Sequence, residues 1–475
     1  MLIIESALYT VNFFIAVMVA LFEKRDISAA WAWLLVMTLL PGIGIILYLF
    51  LGRKLNKQQI FNLKTQEQFG IVEMANYQKK SRHNRIKLKY ELQNELVEMF
   101  LNSDNAILTQ QNDITIFTDG IKKFKQLFED LRGAKNHINL EYFTIYDDDL
   151  GTQLRKILID KAKEGVKVRV LYDIFGSKGS KQRFFKELIA HGGEVQPFMQ
   201  SKWRYLNFRI NFRNHRKIVV IDGTIGYIGG FNVGDQYIGK NSRFGYWRDT
   251  HLRILGSSVL QLQSRFFMDW FASAKTSSVA IGLEYFPQNE LDQSVPMQIV
   301  SSGPESDIQK IKQGYIKMIM GAREHIRIET PYFIPDDALM ETLLIALKSG
   351  LKIDLVIPNK PDHPFVYRAT EYYARQLMEA GANVYAYQNG FMHVKAIVVD
   401  DVVVSLGSAN WDIRSFKLNF EANAFIYHQN TVLDIKETIN RDIKNSQKIS
   451  PEYFNAQSVY TRFKQLASRL LSPLL

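Results

Sequence analysis

The chain has 475 residues, 47% hydrophobic and 23% charged, a balance that excludes a disordered polypeptide and leaves room for two or three folded domains. It contains no cysteine, which excludes a disulfide framework, a thiolate metal site and a cysteine nucleophile. The formal charge of +11 suits nucleic acid, an anionic membrane surface or a phosphorylated substrate alike, because each gains from a positive field.

Leu2 to Phe22 and Trp31 to Leu51 are apolar runs, and each would reach roughly 30 Å as a helix, enough to span a bilayer core. Glu5 and Asn12 weaken the first run. Its alternative reading is a signal peptide, but it lacks a basic N-terminal region and a small-residue cleavage site. In the second run Trp31 and Trp33 stand at one end and Tyr48 at the other, as an aromatic belt would place them, and Pro41 with Gly42 and Gly44 permits a kink. The expectation is a transmembrane helical hairpin over residues 1–52. Lys24 and Arg25 lie between the runs, whereas Arg53, Lys54, Lys57 and Lys64 follow the second, an excess that places the long C-terminal part on the cytoplasmic side. Residues 53–105 read as a polar, helix-prone juxtamembrane linker. Its basic stretch from Lys79 to Lys89 is read as a solvated face before an anionic-lipid contact.

After residue 110 the same pattern occurs twice. AKNHINLE from Ala134 parallels AREHIRIE from Ala322, KEGVKVRVL from Lys163 parallels KSGLKIDLV from Lys348, and GGEVQPF from Gly192 parallels GANVYAY from Gly381. The offsets are 188, 185 and 189 residues, which predicts two homologous units of that size. Each unit alternates helices with period-two strands joined at glycine turns, and each carries an aromatic, acidic loop, YFTIYDDD or TPYFIPDD. The fold class is therefore α/β, two pseudo-symmetric domains with a mixed sheet flanked by helices, over residues 106–295 and 296–475.

At equivalent places stand His215, Lys217 and Asp222, and His393, Lys395 and Asp400, both His-x-Lys-x4-Asp. Asn232 and Asn410 follow each histidine by 17 residues, after glycine-rich turns that include Ser408. Period two puts each histidine and its lysine on one face of a strand. Such a set suits a phosphate: ammonium and amide groups hold non-bridging oxygens, one imidazole attacks phosphorus, and the other protonates the departing alkoxide. Asn232, Ser408 and Asn410 are the candidate phosphate binders. Lysines two residues from each histidine oppose a divalent cation, and no metal or other cofactor is expected. Asp222 and Asp400 stand at odd separation from their histidines and are expected to support the strand from its far face. Asp249 and Glu421, each a polar slot beside an apolar alternation, are the candidates to orient the two imidazoles.

These residues resemble the phospholipase D superfamily, whose signature is two such motifs meeting at one site. Residues 139–475 look like the bacterial cardiolipin synthases in particular, through NLEYFTIY, NFRNHRK, IGGFNVGDQYIG, YWRDTHLRI, ETPYFIPDD, GFMHVKAIVVD and GSANWDIRS. The resemblance implies phosphatidyl transfer: one phosphatidylglycerol forms a phosphatidyl-histidine and releases glycerol, and a second takes the group to give cardiolipin. It also implies His215 as nucleophile, His393 as acid and then base, and residence in the bacterial cytoplasmic membrane. Hydrolysis, or transfer with another donor or acceptor, is the enzymatic alternative. A nuclease or nucleic-acid binder is a remote one, resting on charge and on the basic, aromatic segment from Lys202; nucleic acid is not the expected partner. The C-terminal segment from Thr461, amphipathic with Arg462, Lys464 and Arg469, is read as core packing ahead of an interfacial anchor.

Overall fold

The computed structural model describes residues 2–22, 27–52, 70–81, 87–177, 183–199, 211–273, 282–288 and 291–472. The first apolar run is one helix, α1 (Leu2–Phe22), and the second is broken into α2 (Ile27–Leu39) and α3 (Ile43–Leu47). Pro41 lies in the break, and Gly42 adopts a φ of 79° that other residues resist. Asn12 ties the break to α1: its Nδ2 donates to Met37 O at 2.6 Å and its Oδ1 accepts from Gly42 N at 3.3 Å. The two helices pair as a hairpin. Among the described residues no helix is long and apolar enough to cross a membrane, so the expected pair of full spans is not seen. Lys24, Arg25, Arg53, Lys54, Lys57 and Lys64, on which the expected orientation rests, lie outside the described residues.

Two helices follow, α4 (Ile71–Lys80) and α5 (Glu91–Asp104). The apolar face of α5 joins the core of the second repeat, not the first. Phe100 packs on Phe425 with ring centres 4.4 Å apart, and Gln93 Nε2 donates to Val402 O and Tyr427 O.

The first repeat opens with β1 (Asn112–Phe117), α6 (Gly120–Gly133), β2 (His137–Tyr142), α7 (Asp149–Lys163), β3 (Lys167–Tyr172), α8 (Lys186–Ala190) and β4 (Glu194–Pro197). It continues through β5 (Arg213–Asn214), β6 (Lys217–Ile221), β7 (Ile225–Gly229), β8 (Trp247–Arg248), β9 (His251–Gly256) and α9 (Ser258–Ser273). The second opens with β10 (Met297–Ser302), α10 (Lys310–Met320), β11 (His325–Glu329), β12 (Phe333–Ile334), α11 (Asp337–Lys348), β13 (Lys352–Pro358), α12 (Pro364–Glu379) and β14 (Asn383–Tyr387). It continues through β15 (Phe391–Met392), β16 (Ala396–Val399), β17 (Val403–Gly407), β18 (Trp411–Asp412), α13 (Ile413–Lys417), β19 (Asn419–Ile426) and α14 (Gln429–Lys444). The chain closes with β20 (Ser446–Ile449), α15 (Pro451–Asn455) and α16 (Val459–Leu470).

The two sheets have the same order. The first is β1-β9-β7-β6-β2-β3-β4 and the second β10-β19-β17-β16-β11-β13-β14, with β20 added at its edge. In each, the strands joined by helical crossovers are parallel and the remainder antiparallel, which makes both sheets mixed. One face of each sheet packs on its own helices. The opposite faces pack on each other: Ile218, Val220 and Ile228 share a core with Val394, Ala396 and Val398. This shared core brings the two motif strands, β6 and β16, into one seam.

Helix α16 departs from the sequence expectation. Gln465 and Ser468 are its buried residues, while Val459, Tyr460, Phe463, Leu466 and Leu470 are exposed. The amphipathic pattern is real, but the polar side is the one that packs.

Candidate active site

Alternation along β6 sends Ile218 and Val220 into the seam and Val219 and Ile221 toward the helices of their own half, and β16 repeats this with Ala396 and Val398 against Ile397 and Val399. The motif histidines stand just before these strands and are 8% and 7% exposed, whereas Lys217 and Lys395 are closed off. Short crossing pairs align them. Strand β5, which leads into His215, runs parallel to the start of β19, and β15, which leads into His393, runs parallel to β8. The backbone N–H of His215 donates to Phe420 O at 2.9 Å, and that of His393 to Arg248 O at 2.7 Å.

Phe420 and Arg248 immediately precede Glu421 and Asp249, so the same crossing delivers each carboxylate to the histidine of the other half. His215 Nδ1 lies 2.9 and 3.0 Å from the two Glu421 oxygens, and His393 Nδ1 lies 2.6 Å from Asp249 Oδ2. Each repeat holds half of two dyads, and neither dyad exists without the seam. Lys217 Nζ donates to His215 O at 2.6 Å and Lys395 Nζ donates to His393 O. The aromatic loops close on the rings: Phe143 meets His215 edge-on at 5.0 Å and Tyr332 meets His393 at 6.5 Å.

Burial sets the charge states. It draws His393 down to about 4, with Lys395 adding to the effect against Asp249. It also lowers His215, where Glu421 opposes and Lys217 assists. Burial would raise both carboxylates, yet Lys395 and His393 hold Asp249 below its usual range, and His215 and Lys217 do the same for Glu421. Burial brings Lys217 to about 7 and Lys395 to about 8, against the pull of Glu421 on the first and of Asp249 on the second. At neutral pH the dyads are thus neutral imidazoles facing ionised carboxylates. An imidazole whose Nδ1–H donates to a carboxylate carries its lone pair on Nε2, the form that attacks or takes a proton.

The family description "Cardiolipin synthase, PLD-like domain" matches residues 127–254 and again 315–443, one match on each repeat, and "Phospholipase_D-nuclease N-terminal" matches residues 11–53. A cardiolipin synthase of Listeria monocytogenes serotype 4a is 47% identical over 98% of both chains. The chain belongs to the cardiolipin synthases. The major cardiolipin synthase of Bacillus subtilis (strain 168) is 45% identical over 100% of this chain and 99% of its own. Among solved structures, the phosphatidylserine synthase of Haemophilus influenzae Rd KW20 shares the fold, with a TM-score of 0.62 and 16% identity over 80% of this chain and 100% of that one.

Within this cardiolipin synthase fold, the other residues expected at the site divide by placement. Asp222 and Asp400, grouped with the reacting residues by the motif, stand beyond the far ends of β6 and β16, with φ of 52° and 49°. Each carboxylate accepts from three successive backbone N–H groups at the start of the neighbouring strand, at Lys135, Asn136 and His137 for the first and Arg323, Glu324 and His325 for the second. They hold the start of the neighbouring strand from the turn that ends their own, not from the far face on which parity was expected to place them. Ser408 was expected at the phosphate; its hydroxyl instead donates to Glu421 Oε2 at 2.5 Å and accepts from Ala422 N at 3.0 Å. Asn232 is partly engaged, its Oδ1 accepting from Thr144 N and its Nδ2 donating to Tyr237 OH. Asn410 Oδ1 is buried without a partner among the described residues.

Two arginines escaped the sequence reading. Arg216, the variable residue of the first motif, donates through Nε to Glu421 O at 3.1 Å, and Arg248 donates through a terminal nitrogen to Asp249 O at 2.5 Å. Each guanidinium therefore pins the backbone of one dyad carboxylate. Arg216 is anchored by Asp269 at 2.7 Å and Arg248 by Asp442 at 2.7 Å. Alternation alone points to Arg216, since it must lie opposite His215 and Lys217, on the side of Ile218 and Val220.

The position equivalent to Ser408 is Gly230, where an added Cβ would lie 2.0 Å from Asp249 Oδ1. Gly230→Ala is expected to push Asp249 off His393 and lower kcat on the order of 100-fold with little change in donor KM. Steady-state kinetics on the folded variant checks this.

Proposed function

We propose that the enzyme makes cardiolipin from two phosphatidylglycerols through a phosphatidyl group carried on His215. The observation that carries the reading is the pair of crossed histidine–carboxylate dyads beside two buried lysines. The two ammoniums receive the anionic phosphodiester. His215 Nε2 attacks phosphorus, a P–N bond forms, the P–O bond to glycerol breaks, and His393, which takes up a proton at Nε2 from solvent as the anionic donor binds, gives it to the departing alkoxide. The hydroxyl of a second phosphatidylglycerol then loses its proton to His393, and its oxygen displaces His215. Glu421 and Asp249 hold each ring in the required tautomer and offset the charge it gains. Asn410, whose Oδ1 has no partner among the described residues, is the better placed of the two asparagines to accept from the hydroxyl of the acceptor lipid.

The proposed division keeps residues 106–295 and 296–475 as the two phospholipase D-like domains, joined by 53–105 to a membrane hairpin over 1–52. The outward side chains of Tyr9, Phe13, Phe14, Leu35 and Leu39 support a lipid environment for that hairpin. In the proposed topology the catalytic domains face the cytoplasm and an anionic membrane surface; protease digestion of the C-terminal part in inside-out vesicles tests it. No cofactor or metal enters the proposed steps, and turnover is expected to survive EDTA.

Incubation with phosphatidylglycerol labelled in its phosphoryl group is the decisive assay. Cardiolipin with equimolar glycerol supports the reading, and phosphatidic acid alone replaces it with hydrolysis.

The lysines predict the pH dependence. An ammonium lowered to about 7 or 8 is lost from the empty site as pH rises through that range, while an anionic donor favours its retention. Donor kcat/KM is therefore expected to fall above pH 7 to 8, chiefly through a rising KM. A pH profile of both parameters checks it, and in Lys217→Met the limb moves toward the value of Lys395.

A further inference from the structure

We infer that α16 is a second membrane contact, an interfacial helix that lies on an anionic bilayer surface far along the chain from the N-terminal hairpin. Its inverted amphipathicity carries the inference. The buried residues, Gln465, Ser468 and Ser472, are polar and recur at the spacing of one helical face with half-buried Thr461, while half-buried Ala467 falls on the opposite side. Gln465 Nε2 donates to Glu371 Oε2 on α12 at 3.1 Å and to Gln457 Oε1 at 2.9 Å, and Tyr453 OH donates to Glu371 Oε1 at 3.1 Å. This polar docking fixes the rotation of α16. Val459, Tyr460, Phe463, Leu466 and Leu470 are then held outward at 84%, 67%, 65%, 50% and 80% exposure.

A helix that folds with its polar face inward leaves an apolar arc that water disfavours. Charge selects what covers it. At 3.6 residues per turn, Arg462 and Arg469 fall at one border of the arc and Lys464 at the other, and the helix contains no acidic residue. Lys464 Nζ sits 4.1 Å above the Tyr460 ring, and the Arg469 guanidinium lies 5.2 Å from the Tyr372 ring. Basic groups flanking an apolar arc with aromatics suit the headgroup boundary of an anionic membrane: the arc enters the acyl edge while the cations meet phosphates. A second copy of the chain would set these cations against their own kind. The helix is too short and too basic to cross the bilayer.

The inference uses the proposed lipid substrate only in taking that lipid to be anionic, and it can be tested apart from turnover. The absence of cysteine allows single thiols in the full-length chain. Phe463→Cys, Leu470→Cys and a control, Glu129→Cys, are labelled with an environment-sensitive fluorophore. The proteins are reconstituted into vesicles of phosphatidylglycerol and phosphatidylcholine. Labels at 463 and 470 are expected to be quenched at least twofold by nitroxide lipids and shielded from aqueous iodide, with the control showing the reverse. Iodide quenching equal to that of the control overturns the inference. So does shielding that persists in detergent and grows with protein concentration, which would assign the face to a second copy. Cardiolipin is measured in the same vesicles: embedded labels without product would defeat the proposed reaction and leave the helix assignment standing. Phe463→Asp with Leu466→Asp, which leaves the docked face intact, is expected to lower turnover on vesicles several-fold and to spare a monomeric short-chain donor.

Discussion

His215→Ala is expected to abolish turnover, whereas His393→Ala stops the enzyme half-way when the donor carries a leaving group that needs no proton. The crossed geometry makes the two variants distinguishable. In His215→Ala no nitrogen remains to form the P–N bond, and the surviving dyad of His393 and Asp249 can only move protons. In His393→Ala, His215 keeps Glu421, and the tautomer that exposes Nε2 is undisturbed. What is lost is the proton donor for the leaving alkoxide and the base for the acceptor hydroxyl, each worth about 10²- to 10⁴-fold. A donor whose leaving group departs as an anion without help, such as a p-nitrophenyl ester of phosphatidic acid, removes the first requirement and leaves the second. With that donor His393→Ala should release one equivalent of p-nitrophenol in a burst and hold the phosphatidyl group on His215. The adduct is found by digesting the quenched protein in base, where a phosphoryl-histidine survives, and locating the label. Label on His393 in the His215→Ala protein would reverse the proposed roles.

Much of this site is visible in the chain before folding, and the remainder is not, for identifiable reasons. The repeat shows because the crossover helices end at matching glycines, Gly165 and Gly192 in the first half and Gly350 and Gly381 in the second, each followed by a strand, so equal spacing yields equal sheets. Asp249 and Glu421 show as polar residues beside apolar alternations and stand beside the histidines. Their crossing is not visible, because His393 and Asp249 are 144 residues apart and His215 and Glu421 are 206 apart, and only the shared core of the two sheets brings them together. Ser408 misleads because its hydroxyl is polar enough for a phosphate and nothing local marks Glu421 as its partner. In the second apolar run Pro41 with Gly42 and Gly44 marks the kink, while its tie to Asn12 depends on a contact between helices. For α16 the periodicity is legible and the direction is not, since a pattern fixes two faces without saying which one meets the protein. The buried partner Glu371 decides it.

Asp269→Ala is expected to cost about 3–5 kcal/mol of folding stability, because it strands the buried guanidinium of Arg216 and takes from Arg265 its hydrogen-bonded carboxylate. Arg216 has no exposure, Arg265 very little, and both converge on Asp269, at 2.7 and 2.8 Å. The remaining acceptors of Arg216, the carbonyls of Glu421 and Ser302, carry no net charge to balance it. Glu141 softens the loss: burial first, then Asp269, holds its carboxyl well above the usual range, and removing Asp269 eases its ionisation toward Arg216. The double variant Asp269→Ala, Glu141→Ala should therefore lose more stability than the sum of the two single losses, by a coupling that a double-mutant cycle in urea denaturation reads directly. Activity separates the two duties of this cluster. Replacing Arg216, Arg265 and Asp269 together by Met, Leu and Leu removes the charge of all three and leaves Glu141 protonated by burial, and stability should return close to the starting value. Turnover should not return with it, because Arg216 Nε also holds the carbonyl of Glu421 across the seam, and no apolar side chain donates to that oxygen. A refolded but slow triple variant, with donor KM little changed and kcat lowered, would show that the buried arginine acts on His215 through the backbone of its carboxylate. Full recovery of kcat would reduce the cluster to a packing element.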